Sequence, residues 1–503
     1  MTPSARSAPN LLFVSVTFSG HLNPTIAVAR ACNQRRLSAA KDASTPATHA
    51  PDADAAVVLN GAAAPGAVRF AALSRDRSKV EAAGLEFVDL GELSTEDEKK
   101  TQQMMAVGPS ANEGKDSLSI GCQLFTLMER AMFPPLVEAL GSGGAAAGTD
   151  AIVADFATLA AHDAAEHLGL PLVLLQQGPL GMILTAAGFN SANMYSHVPL
   201  ESPGPFLQRE RLTLVQRALN PVLKRVVDSH LRGVAGPFRS AVRKHLGLPS
   251  VRLSMFGYAP SVERVLHLVS GSMDLETDRP LPPGWHMTGQ HNVDFSEGNF
   301  PVPLVKAGDD TNRDLEAFLQ AAADAGRPVV YIATGTVAKP SKAQIDAIVG
   351  AIQAMEGASF VWSLPKDCQE LLPGEDVAEW SGGRAKVLAW APQQALLGHA
   401  AVRLFVTHGG LNSTYEGVTA GLPLVVLPYF ADQPINAMHV VNKGLGTMLD
   451  PWNFTAADLA EAVQQLLADE DTRARAAEMG RRLRARTPGP RRAAELIFEF
   501  AQA

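Results

Sequence analysis

Residues 390–433 read WAPQQALLGHAAVRLFVTHGGLNSTYEGVTAGLPLVVLPYFADQ. Leu404, Phe405 and Val406 form an apolar run of strand composition. The run stops at His408-Gly409-Gly410, a glycine-rich turn. Asn412, Ser413 and Thr414 are residues that favour a helix N-cap, and helical spacing continues to about Ala420. A strand, a glycine turn and a helix start bring free backbone N–H groups and the positive end of a helix dipole to one point, which suits a phosphate. A second strand over 423–428 leads into Asp432-Gln433. In parallel α/β sheets the loops after strands line the ligand crevice. The two loops are therefore expected to face one molecule with a phosphate part and a polyhydroxyl part.

The same alternation extends outward in both directions. Strand patterns lie at 11–18, 68–73, 85–90, 151–154, 171–175 and 266–270, and then at 329–333, 360–364 and 386–389. Helical spacing separates them, notably at 24–36 after a turn over 19–24, at 118–140, within 176–245, at 341–355 and at 456–502. Two halves of alternating strands and helices predict an α/β protein of two parallel-sheet domains. The Pro-rich 280–289 reads as the approach to a linker, and 290–312 holds few strand or helix signals. This places an N-terminal domain at 1–300, a C-terminal domain at 301–480, and a final helix in 481–503 packing back on the first domain. Residues 38–67, rich in Ala, Asp, Pro and Thr without periodicity, read as a disordered insertion, and 92–116 as a polar connection.

Composition narrows the function. The chain has 503 residues, 46% of them apolar, enough for sizeable cores. A net charge of −8 without a dense Lys/Arg run argues against nucleic acid and against an anionic membrane surface. Cys32, Cys122 and Cys368 are scattered, with neither metal-ligand nor disulfide spacing, which points to a reducing, cytoplasmic setting. No apolar run has the length of a membrane span, and 11–18 reads as a strand rather than a signal peptide. No GxGxxG opens either half, which disfavours a dinucleotide oxidoreductase.

The quoted stretch closely resembles the donor-binding signature of the family 1 UDP-dependent glycosyltransferases. Trp390, Gln393, His399, the 408–410 turn, Asn412, Ser413, Glu416, Gly421-Leu422-Pro423 and Asp432-Gln433 carry the match. The resemblance implies the GT-B fold, two Rossmann-like domains facing across a cleft, and transfer of a sugar with inversion at its anomeric carbon. It implies Trp390 at the uracil, Ala391 in the donor site beside it, Gln393 at base or ribose, and Glu416 at the ribose hydroxyls. His408, Gly410, Asn412 and Ser413 would clamp the diphosphate, with Thr336 on a second phosphate loop. Asp432 and Gln433 would read the sugar, glucose from UDP-glucose, as paired carboxylate and amide acceptors for an equatorial diol. Leu411 stands where plant members carry Trp beside the sugar.

Sugar transfer to an alcohol needs a base, and a histidine titrates near the working pH. His21, after the first strand, resembles the family's base, and Asp155, ending a strand, its acidic partner. Asp163 and Asp116 are poorer partners. The resemblance implies no metal and no cofactor beyond the UDP-sugar co-substrate, a small lipophilic acceptor bearing a hydroxyl, and a monomer. Met104, Met105, Phe125, Met182, Phe189 and Met194 are candidates for an apolar acceptor pocket. Two other readings stay open: another GT-B enzyme, such as a UDP-N-acetylglucosamine epimerase or a lipid-linked sugar transferase, and a non-catalytic nucleotide-sugar binder.

Overall fold

In a computed structural model, the described residues are 8–44, 66–107, 117–187, 201, 212–249, 256–258, 261–292, 300–305, 311–335 and 339–503. Two all-parallel sheets organise them. The first comprises β1 (Leu11–Val14), β2 (Val68–Ala72), β3 (Glu86–Asp89), β4 (Ala151–Asp155), β5 (Leu172–Gln176), β6 (Val265–Ser270) and β7 (Trp285–Gly289), in the order β3-β2-β1-β4-β5-β6-β7. The second comprises β8 (Val329–Ala333), β9 (Ser359–Ser363), β10 (Ala385–Leu388), β11 (Val402–Thr407), β12 (Leu424–Val426) and β13 (Gly446–Met448), in the order β10-β9-β8-β11-β12-β13. β1, β4, β5 and β8 are buried along their whole length, as strands covered by helices on both faces must be.

Each sheet has one place where the strand order reverses. In the first it lies between β1 and β4, paired Leu11 to Ala151 through Val14 to Ala154. In the second it lies between β8 and β11, whose register ends at Thr407 opposite Ala333. Loops leaving the carboxyl ends of strands at such a point diverge and open a crevice. The residues just beyond these four strand ends include His21, Thr334, Gly335 and His408, and Asp155 is itself the last residue of β4.

Four details depart from the sequence expectation. The linker approach at 280–289 contains a seventh strand, β7, paired with β6 from His267 opposite Trp285. Pro282, Pro283 and Gly284 obscure it, but they precede the strand, where proline costs no ladder bond. The turn at 19–24 is the first part of a helix running Ser19–Ser44, so 38–44, assigned to the insertion, is helical. Residues 45–65 and 108–116 lie outside the described residues. The polar connection contains a helix, Thr95–Val107, with Glu96, Asp97 and Glu98 in its first turn and Ser94 Oγ accepting from Asp97 N at 3.1 Å. The helix after β11 begins at Leu411 with Gly410 as its N-cap, not at 412–414.

The last helix, Gly489–Gln502, lies against the first sheet's helix Ser19–Ser44 and against β7. Its Ala493, Ile497 and Phe498 share one core with Leu22, Val28, Phe13 and Leu266. The chain thus leaves the second sheet after Arg484 and ends on the first.

Candidate active site

Helix Ser19–Ser44 starts directly after β1 and carries His21 in its first turn, where Phe18 O accepts from His21 N and Leu22 N. Asp155 is fully buried. His21 Nδ1 lies 3.0 and 3.1 Å from its two carboxylate oxygens, and Ala157 N donates to Oδ2 at 3.0 Å. A carboxylate can only accept, so the imidazole proton sits on Nδ1 and Nε2 carries the lone pair. No described residue hydrogen-bonds Nε2. Burial opposes a charge on His21, but Asp155, by charge and hydrogen bond, and the charge of Asp432 outweigh it and raise the imidazole above its ordinary value. Asp432 follows β12, so the second half of the chain reaches this histidine electrostatically.

Aromatic rings enclose the His21 imidazole. Phe18, Phe125 and Phe156 lie at centroid distances of 6.3, 5.7 and 5.5 Å, and Phe256 packs on Phe125 and Phe156. Of these only Phe125 stood out in the sequence. Met105, Phe189 and Met194 lie outside the described side chains, while Met104 and Met182 are half-buried.

The turn after β11 depends on glycine. Gly409 has φ +80°, and a Cβ there would meet Val426 Cγ1 at 2.6 Å. A Cβ on Gly410 would meet His408 Nε2 at 2.6 Å, and one on Gly335, in the loop after β8, would meet the same ring at 2.7 Å. Two post-strand loops therefore close on His408. Burial holds its imidazole down at about 4, against a backbone bond to Ala333, so at neutral pH it meets a ligand as a neutral hydrogen-bonding group. Thr336 lies outside the described residues.

At the start of helix Leu411–Ala420 the first N–H is taken: Leu411 N donates to Asp432 Oδ2 at 2.9 Å. Asn436 Nδ2, one turn beyond Asp432, donates to the same oxygen at 2.7 Å and to Gly409 O at 2.8 Å, tying the two loops together. The N–H groups of Asn412 and Ser413 have no partner among the described residues. The Asn412 side chain spans the cleft, accepting from Gln290 Nε2 at 2.8 Å and donating to Gly20 O at 3.4 Å. Pro24 has no N–H with which to bond Gly20 O, which leaves that carbonyl open to Asn412.

Glu416 is buried, and three donations converge on its carboxylate, from Gln393 Nε2 at 2.5 Å, Gln394 Nε2 at 3.0 Å and Asn292 Nδ2 at 2.8 Å, with Gln393 also reaching Ser413 Oγ at 3.1 Å. Burial raises the Glu416 carboxyl, and these amides oppose that shift. Trp390 is 73% exposed, unlike the buried Trp362 and Trp285. A large indole left in solvent beside a buried Ala391 is not part of a core. The sugar-reading pair differs from expectation in one respect. Gln433 Oε1 accepts from Tyr429 N and Phe430 N at 2.8 and 3.2 Å, so the side chain has its N–H groups rather than its oxygen to offer. Leu411 is buried and belongs to the same core cluster as Tyr415 and Val426.

The sequence reading missed Gln394, Asn292, Asn436 and Gln290. Gln394 adjoins Gln393 and Asn436 follows Asp432 by four residues, signals present in the sequence. Asn292 and Gln290 come from the first half and could be found only in three dimensions. Asp163, weighed as an acid partner, instead binds Arg239 at 3.1 Å and Arg243 at 2.5 Å in a buried ion cluster.

The profile described as UDP-glucoronosyl and UDP-glucosyl transferase matches residues 53–484. An anthocyanidin 3-O-galactosyltransferase of Rhododendron delavayi is 37% identical over 166 residues, 32% of this chain and 35% of that protein. An anthocyanidin 3-O-glucosyltransferase of Zea mays is 39% identical over 162 residues, 32% of each. The chain thus spans about a third of the length of these relatives. A UDP-glucosyltransferase from Polygonum tinctorium superposes with a TM-score of 0.62 at 19% identity, covering 99% of this chain and 100% of that one, which establishes the GT-B fold. The chain belongs to the family 1 UDP-glycosyltransferases.

Proposed function

We propose that the protein transfers glucose from UDP-glucose to a hydroxyl of a small lipophilic acceptor, inverting the anomeric carbon, with His21 as general base. The observation that carries this reading is a histidine at a strand-order reversal, with Nδ1 fixed on a buried carboxylate and Nε2 without a partner among the described residues. Nε2 takes the acceptor proton as the oxygen attacks the sugar. Asp155 holds the tautomer and stabilises the imidazolium that results. The phenylalanines around His21 favour an apolar, flat acceptor, a phenol or a similar ring alcohol.

On the donor side, Trp390 stacks on uracil, with Ala391 in the donor site next to it. Gln393 and Glu416 take base and ribose, exchanging their present bonds to one another for bonds to ligand hydroxyls. His408, Gly410, Asn412 and Ser413 hold the diphosphate, the free N–H groups of 412 and 413 facing the developing charge. Thr336 belongs to the second phosphate loop. Asp432 accepts from one sugar hydroxyl and Gln433 donates to its neighbour.

Donor competition tests this. With UDP-glucose, UDP-galactose, UDP-glucuronate and UDP-N-acetylglucosamine supplied together, UDP-glucose is used in preference. Moving one hydroxyl from equatorial to axial costs a hydrogen bond to a charged group, roughly 1.5–3 kcal/mol, or ~10- to ~150-fold in kcat/KM. Equal use of glucose and galactose rejects the donor assignment. A product that keeps the donor's anomeric configuration rejects the single displacement.

A further inference from the structure

Residues 290–292 follow β7 of the first sheet, yet two of their three side chains end on helix Leu411–Ala420 of the second. Gln290 Nε2 donates to Asn412 Oδ1 at 2.8 Å, and Asn292 Nδ2 donates to Glu416 Oε1 at 2.8 Å. The residue between them is held by the first sheet. His291 is fully buried, its N donates to Ser270 Oγ at 3.1 Å, and its Nε2 lies 2.7 Å from Thr288 Oγ1. The segment is thus fastened to β6 and β7 and hands two side-chain amides to the other half of the chain. Its path is tightly confined: a Cβ on Gly489, where the chain crosses back to the first sheet, would meet Gln290 O at 2.3 Å.

These contacts make the two oxygens of Glu416 unequal. Oε1 accepts from Asn292 Nδ2 and, at 3.0 Å, from Gln394 Nε2, whose other N–H goes to Asn292 O at 2.9 Å. Three residues close a triangle, and both lone-pair sites of Oε1 are filled. Oε2 accepts only from Gln393 among the described residues. A buried carboxylate stays ionised only if hydrogen-bond donors surround it. Burial raises the Glu416 carboxyl, and Gln393, Gln394 and Asn292 oppose the rise. When Gln393 turns to the ligand, Asn292 and Gln394 are the two that remain. A tie that merely joined the halves would need no such convergence on a single oxygen.

We propose that Asn292 is a positioning residue for the nucleotide: with Gln394 it fixes Glu416 Oε1 and so presents Oε2 to the ribose hydroxyls, which makes the ribose site a joint product of both halves of the chain. This rests on the assignment of Glu416 to the ribose made above.

The test is calorimetric binding of UDP and of 2′,3′-dideoxy-UDP, which lacks both ribose hydroxyls, to the full chain. Wild type prefers UDP by at least ~10-fold, the effect of one hydrogen bond to a charged group. Asn292→Asp keeps the shape of the side chain but sets an acceptor and a like charge where Oε1 needs a hydrogen-bond donor. It reduces the preference to ~3-fold or less. If Asn292→Asp does not fold, Gln394→Ala, which removes the other donor to Oε1, is read in the same way. A folded variant that weakens both nucleotides by one factor, and so keeps the full preference, overturns the proposal and leaves Glu416 at the ribose, with Asn292 only joining the two halves. Wild type that binds the two nucleotides equally takes Glu416 away from the ribose, and the proposal falls with that assignment.

Discussion

Three histidine–carboxylate pairs in this molecule look alike by distance and differ in everything else. His21 meets Asp155 at 3.0 Å, His439 meets Glu201 at 3.3 Å, and His399 meets Glu316 at 3.4 Å. In the first the carboxylate is fully buried, the imidazole is 19% exposed, and Nε2 has no partner among the described residues. In the second both side chains are 3% exposed, Arg279 also binds Glu201, and a second carboxylate, Glu276, lies 3.9 Å from the imidazole. In the third the side chains are 20% and 40% exposed. Distance alone does not make a base. What separates the three is a free nitrogen in a half-open position, held by a carboxylate that water cannot reach.

The comparison is tested most severely at His21. His21→Ala is expected to lower transfer to an alcohol acceptor by ~10²–10⁴ in kcat, while UDP binding measured by calorimetry stays unchanged. An acidic phenol, which ionises more readily, loses less. Near-normal turnover of an alcohol would remove His21 from the chemistry.

Next in size is the interior cluster, where the loss should appear in stability. Burial opposes the charge on Glu201, but Arg279 and His439 together hold its carboxyl below the ordinary range. Arg279→Met leaves that carboxylate buried without its guanidinium, which costs ~3–5 kcal/mol. Denaturant titration should show the loss, and kcat of the protein that remains folded should hold within about threefold. A variant of normal stability would show that the cluster is not an ion-pair anchor.

The pH dependence separates the pairs further. Burial opposes protonation of both His21 and His439, yet the carboxylates around each raise both imidazoles. A raised folded value means that protonation favours the fold. That stability is fully present below the unfolded value near 6.5 and is lost as pH rises through the folded value. Catalysis runs the other way, because a base must be neutral. The acid limb of kcat/KM should therefore lie above pH 6.5, and Asp432→Asn, by removing one raising charge, should move it to lower pH. A limb at or below pH 6.5 in the wild type would mean that another group controls the rate.

How much of this was readable beforehand depended on the range of the signal. The β11 turn, its glycines and the helix after it are local, and residues 402–420 announce them through apolar runs and turn residues within a few positions. His21 and Asp155 were paired through the family resemblance, and the strand order puts one after β1 and the other at the end of β4, beside the reversal. The contacts between halves were not legible. Asn292 at Glu416 and Gln290 at Asn412 join residues more than a hundred positions apart, and no local pattern marks either. Gln433 was read as an acceptor because a sequence shows which groups exist and not which are already used; Tyr429 N and Phe430 N had taken its oxygen. β7 was hidden by the prolines before it.

The weakest expected effect belongs to the third pair, although His399 is part of the donor signature. His399 Nδ1 accepts from Ala401 N at 3.2 Å, which shapes the turn between helix Gln393–Gly398 and β11. The bond to Glu316 reaches outward to helix Arg313–Asp324, where the carboxylate is well hydrated. An exposed pair gains little over water and orders two side chains to form, so Glu316→Ala should change stability by only ~0–1 kcal/mol and leave kcat/KM unchanged. His399→Ala removes the inner bond too and should cost somewhat more, on the order of 0.5–1.5 kcal/mol. The pair of variants sharpens the comparison: the turn, not the ion pair, is the reason for a histidine here. A Glu316→Ala variant as damaged as Arg279→Met would show that solvent exposure does not rank these pairs, and the argument separating His21 from the other two would lose its basis.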